Sequence, residues 1–179
     1  MHVDLLVPVS VLDDALSKAY AAARATLTLV SVTLHHQFPE GAYLVLTRPV
    51  DYDYQDTVRL HSIRDARGET LLDLSEHDDS APLRLPAVPE HLATLWGNDP
   101  SNSGVLLELL QRIDALAPYE YLPFLPAELW TADEVEAESS GEARIPLGIR
   151  LAAEHCPVHG VFCEPDDHVE PSTVHGEVI

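Results

Sequence analysis

The sequence predicts an α+β fold: a largely antiparallel sheet of about four to five strands with helices packed on one face, followed by an irregular acidic C-terminal segment. Three observations carry this expectation. An apolar stripe at helical spacing lies near the N-terminus, β-branched and apolar runs joined by short turns follow it, and a second amphipathic helix comes after them. The α+β domain is placed at residues 1–130 and the acidic segment, which can pack on the same domain, at 131–179. The first strand and helix would also suit the start of a ferredoxin-like arrangement.

Val3, Leu5 and Val7 alternate with other residues before Pro8, which predicts a short first strand. Ser10 suits a helix N-cap, with Asp13 placed to reach back to it. Leu12, Ala15, Leu16, Ala19 and Ala23 then recur at helical spacing, and Asp14 and Lys18 make an i,i+4 pair on the wet side. The helix is expected over residues 11–25. Residues 26–36 are rich in β-branched side chains and read as a strand, with Val30, Val32 and Leu34 on one face and Ser31, Thr33 and His35 on the other.

Residues 38–41 form a turn, and the almost continuously apolar residues 42–47 predict a central strand covered on both sides. Two further strands, at 57–64 and 69–74, flank Asp65-Ala66-Arg67-Gly68, whose glycine can adopt the left-handed conformation of a hairpin loop. The acidic, proline-bearing residues 75–89 read as a crossing loop. Pro89 suits the first turn of a short helix through Leu95.

Turn formers fill residues 98–104. Val105, Leu106, Leu109, Leu110, Ile113 and Leu116 then form one apolar stripe, with Glu108 and Arg112 paired opposite and Pro118 closing the helix. Aromatics alternate with prolines through residues 119–130, which suits irregular packing over the core. Residues 133–142 hold five acids and read as a solvated helix end or a linker.

Charge is the strongest compositional signal. Thirty acids oppose ten bases, for a net charge of −20, and residues 113–179 alone carry 14 acids against 2 bases. Such a field repels phosphate backbones and anionic lipid and attracts basic proteins or cations. Direct nucleic-acid and membrane binding are therefore not expected. The chain shows no signal-peptide pattern and no apolar run of membrane-spanning length. With two cysteines in 179 residues, it fits a reducing, cytoplasmic setting.

Both cysteines fall in one cluster. Cys156, His159, Cys163 and His168 supply two thiolates and two imidazoles within thirteen residues, the ligand types that Zn²⁺ prefers. Gly160 permits a tight turn after His159, and His155 is an alternative fourth ligand. The pattern resembles a zinc knuckle in shuffled ligand order. Four protein ligands would make the site structural rather than hydrolytic. The competing readings are small buried cysteines with exposed histidines, or a Cys156–Cys163 disulfide under oxidising conditions.

A second candidate is the strip Asp51, Tyr52, Asp53 and Tyr54. In extended form it places two carboxylates on one face and two aromatic rings on the other, which suits arginines of a basic partner. A charge-protected edge or loop is the simpler alternative. His35 and His36 would point to opposite faces of a strand, with His35 in reach of His61 only if those strands are neighbours. No phosphate-binding glycine loop, H-E-x-x-H or G-x-S-x-G is present. The leading expectation is a non-enzymatic acidic protein that binds a basic partner, in the manner of inhibitors, immunity-type proteins or nucleic-acid mimics. The alternatives are a small zinc protein and a hydrolase whose site is assembled in space.

Overall fold

A computed structural model describes residues 9–49, 58–75, 82–116, 121–140 and 144–152. The expected first strand lies outside them. From Val9 to Phe38 the chain has neither glycine nor proline, and it forms one helix, α1 (Val9–Gln37), of 29 residues. The strand expected at 26–36 is therefore helix. Leu27, Val30, Ser31 and Leu34 bury one face at i, i+3, i+4 and i+7, the helical period, which overrides the β-propensity of the threonines and valines. Thr26 and Thr28 meet the helix by donating their hydroxyls to the carbonyls of Ala22 (2.8 Å) and Arg24 (3.2 Å). Ser10, expected to cap a helix, lies inside its first turn.

The turn at 38–41 forms as expected, with the Gly41 amide donating to the Phe38 carbonyl at 2.9 Å. It leads into β1 (Tyr43–Pro49), followed by β2 (Arg59–Arg64) and β3 (Thr70–Asp73). Gly68 closes the β2–β3 hairpin with φ 84°, the left-handed conformation its sequence predicts. The helices α2 (Glu90–Trp96), α3 (Ser103–Leu116) and α4 (Ala132–Ser140) come next, with a 3-10 turn at Ala127–Leu129 before α4. β4 (Arg144–Arg150) returns to the sheet, whose order is β3-β2-β1-β4 and whose pairs are all antiparallel. This is an α+β fold.

Side chains alternate across the strands, so the registers define two faces. Leu44, Leu46, Ile63, Leu147 and Ile149 share the first, where Leu27, Val30 and Leu34 of α1 and Leu106, Leu110 and Ile113 of α3 pack on them. Leu60 and Ile63 are three apart, yet both join this face. The register slip between Val45 and Leu46 leaves His61 as an extra residue in β2 and restores the phase. Each fully buried leucine here contributes about 1.5–3 kcal/mol relative to exposure.

Several polar groups buried in this layer have partners, although Gln37 Oε1 and the Tyr121 hydroxyl find none among the described residues. The Ser31 hydroxyl donates to the Arg150 carbonyl (2.5 Å) and accepts from the Ala152 amide (3.2 Å), tying α1 to β4. Gln37 donates to the Pro86 carbonyl at 2.6 Å, and the Trp96 indole donates to the Thr33 hydroxyl at 2.9 Å.

The second face carries Val45, Ser62, Arg64 and Gly148, and residues 123–134 cross it as a strap. Residues 123–125 first run antiparallel to β4: Gly148 donates to the Pro123 carbonyl (2.9 Å) and Leu125 to the Pro146 carbonyl (3.0 Å). Pro146 thus directs its missing N–H away from β1, so it costs the sheet no ladder bond. Leu125 sits so close to Gly148 that an added Cβ would lie 2.8 Å from its Cδ1 and 3.2 Å from its Cα. At the far side, the Leu129 carbonyl would lie 3.1 Å from a Cβ on Gly68. Coverage on both faces explains why Leu44, Val45 and Leu46 of β1 are all fully buried.

Candidate interaction surface

Two arginines mark the two faces of the sheet. Arg48, on the first, is buried in an ion pair with Asp114 of α3. Arg64, on the second, has a side chain only 1% exposed and forms a two-pronged pair with Glu134 of α4, at 2.6 and 3.0 Å. The Leu129 carbonyl (3.0 Å) and the Ser62 hydroxyl (3.2 Å) accept two more of its five donors. A planar guanidinium matched this way has the geometry that lets a charge stay buried.

Glu134 serves a second purpose. Its carboxylate accepts from the Thr131 amide at 2.7 Å, while its own amide donates to the Thr131 hydroxyl at 3.2 Å. This is a reciprocal capping box that starts α4. Burial pushes the Glu134 carboxyl up, but hydrogen bonds from Arg64 and Thr131, together with the Arg64 charge, outweigh it and hold the group below the usual carboxylate range.

Three more cations are held on the surface. Lys18 pairs with Asp14 at 2.7 Å, Arg84 with Asp99 at 2.6 Å, and Arg112 with Glu108. Asp99 also accepts from the Ser101 hydroxyl and amide, and these bonds, more than the Arg84 charge, hold its carboxyl below the usual range. Among the described residues, at least five cations are therefore in ion pairs with the chain's own acids. The strap and α4 contain no cation, and Glu128, Asp133 and Glu136 are exposed along them.

The other exposed feature is the first half of α1. Every residue from 9 to 18 is exposed, including Val9, Leu12 and Leu16, which continue the apolar face that becomes buried from Ala23 onward. A pocket of about 350 Å³ lies between Pro82 and the start of α3, lined by Asn102, Val105, Glu108 and Gln111.

The residues singled out in the sequence fall elsewhere. Cys156, His159, Cys163 and His168 lie outside the described residues, as do Asp51, Tyr52, Asp53 and Tyr54. Among the described residues, no three His, Cys, Asp or Glu side chains gather as a metal site. His35 is on α1 and not on a strand beside His61, so the cross-sheet histidine pair is not formed. His61 instead contacts the Ser62 hydroxyl at 3.0 Å. The Arg64–Glu134 and Arg48–Asp114 pairs were not foreseen. For Glu134 a signal existed: Thr131-x-x-Glu134 is the capping-box spacing.

No helix among the described residues is long and apolar enough to cross a membrane. In comparison with known proteins, the chain matches no family model, no curated protein and no solved structure.

Proposed function

We propose that this protein acts by binding a basic protein partner in the cytoplasm, in the manner of an inhibitor, an immunity-type protein or a nucleic-acid mimic. One observation carries the reading: the chain has a net charge of −20, and at least five of its cations are turned onto its own acids, two of them inside the fold. What remains outward is a surface on which carboxylates outnumber cations, with exposed carboxylates and no cation along the strap and α4. Its field speeds encounter with a cationic surface and discriminates against anionic ones. The cytoplasmic setting rests on the low cysteine content.

The test is capture of partners at low salt followed by stepwise salt elution. Basic proteins released as salt rises are the expected result. No partner, or partners retained unchanged at high salt, would defeat the proposal.

A second proposal concerns the C-terminal cysteines and histidines and rests on their spacing alone. Cys156, His159, Cys163 and His168 form a closed structural zinc site. Native mass spectrometry of untagged protein should find one zinc per chain, lost in Cys156→Ser. Unchanged metal content in that variant would remove the site.

A further inference from the structure

We propose that α4 is a latched flap, held to the second face of the sheet, over its described side chains, by the Glu134 carboxylate and able to open while the rest of the fold stays closed. The geometry points to this in three ways. First, α4 has little apolar anchorage over its described side chains: Ala132, Asp133, Val135 and Glu136 are all exposed, and only Glu134 turns inward. Second, one carboxylate performs both tasks, capping the helix through Thr131 and pinning it through Arg64. Helix formation and docking are therefore coupled, because losing that charge weakens both together. Third, the strap before α4 is anchored separately. Leu125 is buried against Gly148, residues 123–125 are hydrogen-bonded to β4, and the Trp130 indole donates to the Leu125 carbonyl at 2.9 Å. The flap can hinge beyond Trp130 without unseating the strap.

The groups around Glu134 set the trigger. Arg64 faces it from β2, with the Ser62 hydroxyl fixing that guanidinium from below. Arg150 of β4 projects on the same face of the sheet, two strands from Arg64. Asp65 in the adjoining loop is spent on the amides of Arg67 and Glu69. On α4 itself, Asp133 and Glu136 point to solvent. Protonating Glu134 removes the only negative charge bonded to Arg64 and leaves a buried cation with neutral acceptors, which favours opening. The arginine keeps the carboxyl ionised at neutral pH, so the latch is closed there and opens in acid.

Hydrogen exchange on the full chain, corrected for intrinsic rates, tests this. At neutral pH, Glu134→Gln should speed exchange of the amides at 134–136 by about tenfold or more, a loss of roughly 1.4 kcal/mol or more. Amides of β1 and β2 should stay within about threefold of wild type. Wild type acidified until Glu134, held below the usual carboxylate range, takes up its proton should show the same selective loss, and Glu134→Ala should reproduce it at neutral pH. Two results would overturn the proposal: unchanged α4 exchange in both variants, or α4 and sheet amides losing protection together.

Discussion

Replacing Gly148 by alanine tests the strap most sharply, because the sign of the effect is at stake. In an open strand, glycine to alanine stabilises by about 0.5–1 kcal/mol by restricting the unfolded chain. Here the added methyl would meet Leu125 Cδ1 at 2.8 Å and Leu125 Cα at 3.2 Å. The side-chain tip can swing away, but the Cα belongs to a segment bonded to β4 on both sides of Phe124, so the backbone must move as well. Overpacking of this kind costs about 1–3 kcal/mol. For a chain of this length, each kcal/mol lowers Tm by about 2–4 °C. Urea unfolding followed by tryptophan fluorescence should show a lower midpoint at an unchanged m value. Introducing the same methyl in a Leu125→Ala background should cost less, since the closest contact is gone, and the cycle should return a coupling of 0.5 kcal/mol or more by order of magnitude. A Gly148→Ala variant as stable as wild type, or more stable, would refute the placement of the strap over β4.

Other expectations follow from the same geometry. Leu16→Gln, on the exposed half of α1, should change stability by no more than about 0.5 kcal/mol, whereas Leu27→Ala, fully buried on the same helix, should cost about 2–5 kcal/mol. Equal losses in urea unfolding would contradict the division of α1 into a projecting and a packed half. Asp114→Asn should cost up to about 3 kcal/mol by removing the charge paired with buried Arg48, and Arg48→Met together with Asp114→Leu should recover much of it. Glu134 and Asp99 both have carboxyls held below their usual range, so their contribution is full above about pH 4.5 and is lost as pH falls through the lowered values. Stability measured by urea from pH 7 down to pH 3 should fall accordingly, and less steeply in Glu134→Gln.

Much of the sheet was legible because its turns carry unambiguous chemistry. Gly41 after a proline turn, Gly68 in the hairpin and the apolar run of β1 each state one local structure, and each forms. The α3 stripe was equally clear, although Leu107 is buried in place of the half-exposed Leu109. Residues 26–36 misled because Val30 and Leu34 satisfy both a period of two and a helical period. The absence of any breaker from Val9 to Phe38 was the better guide. β4 stayed hidden behind Pro146 and Gly148, residues that strands usually avoid. Only the strap, which takes the bonds on that edge and fills the space over the glycine, makes them suitable. The buried pairs of Arg48 and Arg64 join residues 66 and 70 positions apart, a proximity no local pattern encodes.

The central claim is that the surplus negative charge is a binding surface for a basic protein. Its most direct test is the dissociation constant of a captured partner measured from about 50 to 200 mM salt at neutral pH, within the range where screening acts strongly. A cationic partner whose affinity falls at least about tenfold across that range, with dissociation and association rates both responding, is the predicted result. A partner without excess positive charge, or an affinity indifferent to salt, would contradict the account.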